Sequence, residues 1–582
     1  MNGKDSLTGT TKVHRMLAVL LLVICIGFAY KSTIDNPFVW DDIFLIEQNV
    51  FIQSTDNIRN LFTKKYFTQK IELSYRPINT LTYIFDYKLW KDHTAGYHYF
   101  NLSIHFFNSL ALFLLISALT HSPWLSLGLA LLFAVHPINT EALNVVTFRE
   151  DPLCLLFMLV SVLLYLGSKN VKKGGTAKIF LSLVFLLFAL FTKETAVIFP
   201  LIIFGYQYFV EENNSLRQSF KWSLIYSIPV AFYLSIRFFV LRGPSESYIY
   251  HGNSAWTTFV LMIQAFARYI SLSVYPAKQC IDHSFDSNPG LLDPATIAAI
   301  FLLVAVAGLM VILIVRNKKS GFGALWFIAA LLPVSNIIPI GVVMAERYLY
   351  VALPGLLLFT GILLKNVFLS KNNPYPVLSR DFLIFVIILL VVIGGIKTKD
   401  RNLIWDSEIS FWKATTECSP TSAKSFVNLG ISYLETNRTE EAEEALVRAV
   451  RLSDESTEDI RYGTLYRSLT NLGIVYAKKN QLDKADNLLK MSAVLNPNSP
   501  NSFWNLGIVY LRKGDIIKAE QYFTKGLEID PNNISPRMYL VSIYHQTGRI
   551  QKAIDQCDMI LKISPDYERA EILKERFLGE LE

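Results

Sequence analysis

Two adjacent carboxylates are the first groups in this sequence that could do chemistry. Asp41 and Asp42 follow Trp40 in a segment that comes soon after the first apolar stretch of the chain. Like charges so close together should raise the pKa of one member, which could then accept a proton from a hydroxyl group. The pair could also hold a divalent cation. A solvated turn that caps a loop helix is the alternative interpretation of the same residues.

Further charged side chains lie at the edges of apolar stretches or inside them, where ionisable groups are costly unless they are paired or functional. Cations and acids mixed near one membrane face suit a site that binds a phosphate and a sugar, and mutual ion pairing is the alternative for each of them. Arg237 is the preferred phosphate ligand, because its own apolar stretch contains no acidic residue. No spacing of His or Cys indicates a metal site. The candidate substrate-binding residues are Arg76, Glu141, Arg149, Asp151, Lys193, Glu194, Arg237, Glu346 and Arg347.

The elements that must position these residues belong to two regions of different composition. Of the 582 residues, 52% are hydrophobic and only 18% are charged, which is typical of an integral membrane protein. Long apolar stretches fill residues 1–400, whereas residues 401–582 are rich in charged and amide side chains. The net charge of +7 does not indicate nucleic-acid binding, since the Lys and Arg residues of the first region lie in short loops.

Eleven apolar stretches are predicted to cross a bilayer, which takes about 20 residues. Basic residues cluster in alternate loops, and the positive-inside rule then places loops 32–97 and 242–293 outside the cytoplasm, together with residues 401–582. This orientation requires segment 257–276 to lie along the membrane or dip into it; a twelfth span there is the alternative. The predicted spans are 15–31, 98–119, 123–140, 152–168, 179–193, 196–211, 222–241, 294–315, 322–341, 348–369 and 381–398.

The polar C-terminal region repeats with a period of 34 residues. Pro497, Pro531 and Pro565 share this spacing, and several Leu, Tyr and Ala positions follow the same step. Such a period, with Ala where helices approach and Pro at the closing turn, is typical of tetratricopeptide repeats. An earlier unit at Leu429 is followed by extra residues, which predict a longer turn near 455–464. About four repeats should form a solenoid, whose concave face usually binds an extended peptide or another protein.

Several motifs, in the same order along the chain, are similar to those of one family. The chain resembles the transmembrane and tetratricopeptide-repeat O-mannosyltransferases, which are themselves similar to the wider GT-C group of multi-spanning glycosyltransferases that use lipid-phosphate sugars. The motifs extend over nearly the whole chain, so the resemblance is more specific than any one of them. They are Phe38 to Asp42, Tyr75 to Thr80, Leu132 to Glu141, Lys193-Glu194, Leu332 to Tyr350, and Trp405 to Gly430, which leads into the repeats.

The resemblance implies an all-α protein with a polytopic GT-C-like catalytic domain over residues 1–400 and an extracytoplasmic repeat domain over residues 401–582. It implies inverting transfer of a sugar, mannose or another hexose, from a polyprenyl-phosphate donor to Ser or Thr hydroxyls of an exported protein. Asp41 would be the general base and Asp42 its partner, with the reverse order as the alternative. The leaving phosphate needs cations, not an acid.

The family resemblance also implies a location and partners. The protein would lie in a bacterial plasma membrane or in the endoplasmic reticulum membrane, surrounded by lipid, and the repeats would hold the acceptor protein or another partner. The chain departs from the family over residues 147–152, where Arg149 and Asp151 match the usual Gly-Arg-Ala-Asp stretch but Phe148 and Glu150 do not. These departures leave the sugar and the acceptor open more than the reaction class.

Two other function classes are compatible with part of the sequence. A transporter or lipid flippase with a docking module usually carries ionisable groups near the bilayer midplane and has repeated halves. Here the charges gather at the ends of spans, and no repeated half is evident. A non-catalytic scaffold would need one span to anchor the repeats, whereas eleven are predicted.

Overall fold

The structure is a computed structural model that describes residues 10–67, 74–169, 174–212, 215–240, 250–285, 289–368, 376–454 and 458–581. The regular secondary structure of these residues is helical throughout, so the predicted all-α class is confirmed. The chain divides into two compact units, Met1–Phe411 and Trp412–Glu582. Residues 68–73, 241–249 and 286–288 of the predicted outer loops lie outside the described residues.

The first unit is a bundle of apolar helices joined by short 3₁₀ and π segments. Its α-helices within the described ranges are α1 (Lys12–Ala29), α2 (Pro77–Trp90), α3 (Thr94–Thr120), α4 (Pro123–Ala134), α5 (Thr140–Asn144), α6 (Glu150–Lys169), α7 (Gly175–Thr192), α8 (Phe199–Gly205), α9 (Leu216–Ser235), α10 (Ala255–Val274), α11 (Pro294–Arg316), α12 (Gly321–Leu331), α13 (Leu349–Phe368) and α14 (Pro376–Asn402).

Nine helices in the described part of the chain are long and apolar enough to cross a membrane, judged by length and composition. Eight of them coincide with predicted spans, and the ninth is α10. The other three predicted spans hold shorter or broken helices. In span 123–140, a bend of 46° separates α4 from Pro137–Asn144. Span 196–211 falls in the short apolar segment Glu194–Val210.

The predicted span 322–341 is helical only over α12, which has 11 residues. Pro333 follows the helix and has no N–H to continue its hydrogen-bonding ladder. Asn336 then takes a left-handed backbone conformation, with φ of 54°. The apolar residues after Pro333 therefore form an irregular connection to α13, although their composition resembles that of a span.

Helix α10 corresponds to the segment predicted to lie along the membrane. Both of its flanks are bonded to the connection between α12 and α13. Before the helix, the Tyr250 hydroxyl donates to the carbonyl oxygen of Ile337 at 3.0 Å. After it, the Gln279 amide donates to Oε2 of Glu346 at 2.9 Å. The length and composition of α10 would also suit a span.

One end of the bundle is held together by a chain of buried amides. Asn36, in the loop after α1, donates to Oδ1 of Asn144 on α5 at 2.9 Å. Asn144 donates to Oδ1 of Asn402 at 2.6 Å, and Asn402 donates to the carbonyl oxygen of Ala29 at 2.8 Å. The C-terminal ends of α1 and α14 therefore meet at the same face of the unit as the loop that carries Asp41.

The opposite ends of several helices carry basic residues paired with acids. Lys169, at the end of α6, donates to Glu211 at 2.6 Å, and Lys319, before α12, donates to Glu212 at 3.1 Å. Between the two ends, α11 turns an apolar surface outward, with Phe301 and Val315 respectively 72% and 81% exposed. Such a surface suits contact with lipid acyl chains.

The second unit consists of helix pairs. Helix α15 (Glu408–Cys418) extends across the unit boundary, and the remaining helices are α16 (Ala423–Glu435), α17 (Thr439–Asp454), α18 (Glu458–Lys478), α19 (Leu482–Leu495), α20 (Pro500–Arg512), α21 (Ile516–Ile529), α22 (Ile534–Gln546), α23 (Ile550–Ile563) and α24 (Glu568–Leu581). They form four pairs and a final helix. Glycine at the Leu-Gly position permits close packing within a pair, because a Cβ on Gly507 would lie 2.8 Å from the ring of Phe523.

Two expectations about the polar region need correction. The extra residues after the first pair do not form only a longer turn: α18 has 21 residues, whereas α16 has 13, and residues 455–457 lie outside the described part. The compact membrane unit also extends past the expected limit at residue 400, to Phe411. Residues 401–411 belong to it because Arg401 donates to Glu346, Asn402 donates to the carbonyl oxygen of Ala29, and Glu408 accepts from the N–H of Trp40.

Candidate active site

The acidic pair lies on a tight turn that points its two side chains in different directions. The N–H of Asp42 donates to the carbonyl oxygen of Val39 at 3.1 Å and closes the turn. Within it, Trp40 has φ of 57°, in the left-handed region that side-chain-bearing residues rarely adopt. Asp41 is half-buried, whereas Asp42 is fully buried. The two neighbours therefore occupy different environments.

Asp42 is bound to the backbone of the segment before α6. Its Oδ2 accepts from the N–H of Val146 at 3.0 Å, and its Oδ1 accepts from the N–H of Thr147 at 2.8 Å. Burial raises the pKa of Asp42 to about 7 against the opposing effect of these two N–H groups, and the charge of Asp41 is the smallest of the causes. The expected effect of like charges is therefore present but minor. Since both oxygens of Asp42 face the backbone, the pair does not converge on a shared cation.

Asp41 lines a polar cavity of about 460 Å³ at the same face of the bundle. Six of the predicted substrate-binding residues either line this cavity or pair with a residue that lines it, and the two that only pair are Glu141 and Asp151. Arg76, Lys193, Glu194 and Arg347 line it directly, together with Glu150. Three cationic side chains thus share one concave space with the carboxylate of Asp41, an arrangement that could hold an anionic group beside a proton acceptor.

Arg76 and Lys193 are each paired with two acids. The guanidinium of Arg76 binds Glu194 through two N–H groups, at 2.7 and 3.2 Å, and also contacts Glu150. The ammonium of Lys193 lies 2.8 Å from Oε1 of Glu150 and 2.7 Å from Oδ2 of Asp151. Glu150 therefore bridges the two cations. Sequence reasoning omitted Glu150 from the site because it differs from the family motif, although it stands between Arg149 and Asp151.

Glu346 and Arg347 are neighbours that bind different parts of the unit. Arg347 donates to Oε1 of Glu141 at 2.7 Å, and its guanidinium carbon lies 3.9 Å from the centre of the Phe148 ring. Glu346 accepts from Arg401 at 3.0 Å and from Gln279. Glu141 and Glu346 are both completely buried. The structure thus makes Glu141 the support of a lining cation and gives Glu346 a role in joining loops.

Arg149 and Arg237 do not line the polar cavity. Arg149 is completely buried, lies 2.5 Å from Oδ2 of Asp86 and donates to Oδ1 of Asn101 at 2.6 Å. Its place in a charged run at the edge of a span suggested a substrate ligand, whereas its contacts are those of a packed ion pair. Arg237 interacts electrostatically with Tyr75, next to Arg76, and is half-buried.

Neutral polar residues that the sequence did not single out also line the cavity. Asn79 and Tyr83 come from α2, and Tyr348 comes from the turn before α13. The amide of Asn79 donates to the Tyr83 hydroxyl at 2.8 Å, and that hydroxyl donates to the carbonyl oxygen of Thr147 at 2.9 Å. These side chains could bond sugar hydroxyls. Asn79 lies inside the Tyr75 to Thr80 motif and Tyr348 inside the Leu332 to Tyr350 motif, whereas Tyr83 belongs to none of the motifs.

A second cavity, of about 740 Å³, is almost entirely apolar. Its walls come from α10, α11 and α12, with side chains such as Phe266, Met310 and Phe327. Residues 331–342 separate the two cavities: Leu332 and Ile337 line the apolar one, whereas Val334 and Val342 line the polar one. Within the described ranges, no group of three or more His, Cys, Asp or Glu residues is arranged to hold a metal ion.

Comparisons with known proteins match both units. The tetratricopeptide repeat family models match residues 423–456 and 510–577, which confirms the predicted repeats. The chain is 25% identical over 452 residues to the protein O-mannosyl-transferase F38B6.6 of Caenorhabditis elegans, covering 75% of this chain and 62% of that protein. It is 24% identical over 493 residues to the mouse protein O-mannosyl-transferase TMTC3, covering 78% of this chain and 53% of that protein.

A third relative is the human protein O-mannosyl-transferase TMTC4, which is 25% identical over 472 residues, covering 70% of this chain and 62% of that protein. The chain thus spans between 53% and 62% of the length of these relatives. Among solved structures, that of MamA has a TM-score of 0.23 at 20% identity, covering 28% of this chain and 83% of MamA. The structure of the tetratricopeptide-repeat protein YrrB has a TM-score of 0.24 at 20% identity, covering 36% of this chain and 96% of YrrB.

Proposed function

We propose that this chain, a TMTC-like membrane protein with tetratricopeptide repeats, transfers a sugar from a polyprenyl-phosphate donor to Ser or Thr hydroxyls of exported proteins. The sugar is mannose or another hexose, in keeping with the names of the relatives. The observation that carries the proposal is the polar cavity, in which Asp41 faces three cationic side chains beside an apolar cavity. A lipid-linked sugar phosphate has the matching parts: an apolar chain, an anion and a group to be transferred.

Asp41 is the general base of the proposed reaction, and Asp42 holds the turn. A base must reach the hydroxyl whose proton it accepts, and of the two only Asp41 lines the cavity. Both oxygens of Asp42 are engaged by backbone N–H groups. In an inverting transfer, the carboxylate of Asp41 takes the proton of the acceptor hydroxyl while the phosphate departs from the opposite face of the sugar.

Arg347 replaces Arg237 as the preferred phosphate ligand. Among the described residues, Arg76 and Lys193 each form ion pairs with two acids, whereas Arg347 forms one, with Glu141. The Nε atom of Arg347 is buried and has no hydrogen-bond partner among the described residues. A guanidinium can bind a phosphate through two N–H groups and stabilise the charge that develops on it as the bond to the sugar breaks.

The polyprenyl chain is proposed to occupy the apolar cavity. Side chains from α10, α11 and α12 supply an apolar lining, and the connection at residues 331–342 is shared with the polar cavity. A donor lying across this connection would place its lipid chain on one side and its phosphate on the other. No transporter-like path through the bundle is needed for such a donor, because the transferred sugar stays at one membrane face.

Eleven crossings are proposed for the membrane unit. Eight of the nine long helices cross, while α10 lies along the face of the site. The other three crossings are made by the bent pair Pro123–Ala134 and Pro137–Asn144, by the segment Glu194–Val210, and by α12 with the residues that follow it. The bonds that both flanks of α10 make to the connection after α12 support this placement. The chain would begin in the cytoplasm, where the basic ends of the helices lie, and the site and the repeats would lie on the other side.

The repeats are proposed to hold the acceptor protein. A polar groove of about 380 Å³ in this unit is lined by residues of α18 and α20, among them Asn471, Asn505 and Arg467. A carboxamide both donates and accepts, as a peptide group does, so Asn side chains can bind an extended chain without selecting its sequence.

The test is transfer by the purified full chain in lipid nanodiscs, with radiolabelled polyprenyl-phosphate mannose and a Ser/Thr-rich protein acceptor. Asp41→Asn should lower the turnover by about 100- to 10,000-fold, the usual contribution of a general base. Glu47→Gln is the matched control, because Glu47 is an exposed acid of the same loop. An Asp41→Asn variant with undiminished turnover would exclude Asp41 as the base. Movement of the labelled lipid without transfer to protein would instead favour a flippase.

A further inference from the structure

The turn that presents Asp41 has a backbone conformation that does not sustain itself. Trp40 has φ of 57°, and a residue with a side chain is disfavoured there relative to the extended or right-handed regions. Residues in such conformations persist only where surrounding groups hold them. Relaxation of Trp40 would rotate the chain that follows it. Asp41 comes next, whereas Asp42 is fixed separately by Val146 and Thr147.

The group that holds Trp40 is the carboxylate of Glu408, near the C-terminal end of the first unit. The N–H of Trp40 donates to Oε1 of Glu408 at 2.7 Å, a hydrogen bond strengthened by the charge of the carboxylate. The ring of Trp40 lies edge-on to Phe148, with centroids 5.3 Å apart, and packs at 5.6 Å on Phe411. Phe411 in turn packs on Trp405 at 5.0 Å.

We infer that Glu408 is a positioning residue for Asp41, an inference that rests on the proposed function. Its carboxylate holds the left-handed turn at Trp40 by accepting the backbone N–H, and the turn keeps the Asp41 side chain in the polar cavity. Glu408 itself is not among the residues that line this cavity. It acts on the reaction through the position of the base and not through contact with the donor or acceptor.

Glu408 lies in the segment that joins the membrane unit to the repeats. Glu408 is the first residue of α15, directly after the last span and before the repeats. The part of the chain that leads into the repeat domain therefore also fixes the proposed base. A sequence search for catalytic residues would pass over Glu408, because it is 368 positions away from Trp40 and belongs to a polar stretch rich in acids.

The first experiment separates the hydrogen bond from the charge. Glu408→Ala removes the acceptor and should lower kcat by about 10- to 100-fold, since small displacements of a catalytic group have effects of this size. The KM values for donor and acceptor should stay within about twofold, because neither contacts Glu408. Glu408→Gln retains an acceptor oxygen and should restore most of kcat. Glu417→Ala, at an exposed acid on the same helix, is the matched control.

A second measurement does not depend on the proposed reaction. Asp41→Cys is combined with native Glu408 or with Glu408→Ala in the full chain, and the rate at which a water-soluble maleimide labels position 41 is followed by peptide mass spectrometry. Glu408→Ala should change this rate by about threefold or more, because the turn relaxes. Glu408→Gln should not.

The outcomes distinguish the positioning role of Glu408 from the proposed role of Asp41 as the general base. An unchanged labelling rate together with an unchanged kcat overturns the positioning role of Glu408. A drop in kcat together with a lower melting temperature and an unchanged labelling rate also overturns it, since Glu408 would then stabilise the fold without positioning Asp41. If Asp41→Asn itself retains full turnover, the proposed base is wrong, and the labelling rate alone decides whether Glu408 holds the turn.

Discussion

Replacing Asp42 by Ala should mainly lower the stability of the protein, whereas replacing Asp41 by Ala should mainly lower its turnover. Asp42→Ala removes the acceptor of two buried N–H groups, at Val146 and Thr147. Each N–H left without a partner costs about 1–3 kcal/mol, so the loss could reach about 2–6 kcal/mol. Burial already disfavours the carboxylate, as its raised pKa shows, and relief of this penalty offsets part of the loss. We therefore expect a net destabilisation near about 2 kcal/mol.

Asp41→Ala is the matched variant, with the same truncation one residue earlier. It removes a half-buried side chain that lines a cavity, so stability should change by no more than about 0.5 kcal/mol while turnover falls with the lost base. The assay is thermal unfolding of the purified full chain in one detergent at pH 6, monitored together with transfer in nanodiscs. Asp42→Ala should unfold several degrees earlier than Asp41→Ala. Equal melting temperatures, or an earlier transition for Asp41→Ala, would refute the assignment of opposed roles.

Three further outcomes follow from the cavities and from the burial of Asp42. Arg347→Ala should raise the KM for the polyprenyl-phosphate donor by about 10- to 100-fold, because a hydrogen bond to a charged group is worth about 1.5–3 kcal/mol. The KM for the acceptor should stay unchanged. Steady-state kinetics with each substrate varied in turn measures both values. Ala307→Trp, which fills the apolar cavity, should weaken use of long-chain but not short-chain donors, whereas Ala305→Trp on the same helix lies outside the lining and should have no such effect. Burial raises the pKa of Asp42 to about 7, so the folded state holds this proton more tightly than the unfolded state and stability should fall as the pH rises toward 7, by about 1.4 kcal/mol per pH unit for this group. Melting temperatures of the native chain should fall from pH 5 to about pH 7 and level off by pH 8, whereas those of Asp42→Asn should lack this dependence.

The sequence predicted the architecture better than the individual roles of the charged residues. Apolar stretches and a 34-residue period are local signals, and both units follow from them. Which member of the acidic pair faces the cavity depends on the backbone of Trp40 and on N–H groups more than 100 positions away. Those contacts are not visible in the loop itself. The segment around Pro333 led the sequence to predict a helical span that is too long, because an apolar connection that lines cavities has the composition of a span.

The roles of the cationic residues also depend on distant contacts that the sequence does not reveal. Arg149 and Arg347 are equally basic in sequence, but Asp86 on α2 neutralises the first in the interior, whereas the second opens onto the polar cavity. Glu150 differs from the family pattern and yet joins Arg76 to Lys193. Pairings of this kind are set by packing between helices. The charged positions near spans therefore include most of the site, but the sequence does not tell which of them line the cavity and which form buried ion pairs.

The connection at residues 331–342 gives the two cavities a common wall. A side chain exchanged on this wall would alter the fit of a lipid chain on one side and the position of a phosphate on the other. The length of the donor's hydrocarbon chain should therefore influence the chemical step as well as binding, because contacts far from the reacting carbon would help to align it. Divergence toward a different membrane lipid would be expected to require coordinated changes around Pro333 and Asn336 before any change in the acidic loop.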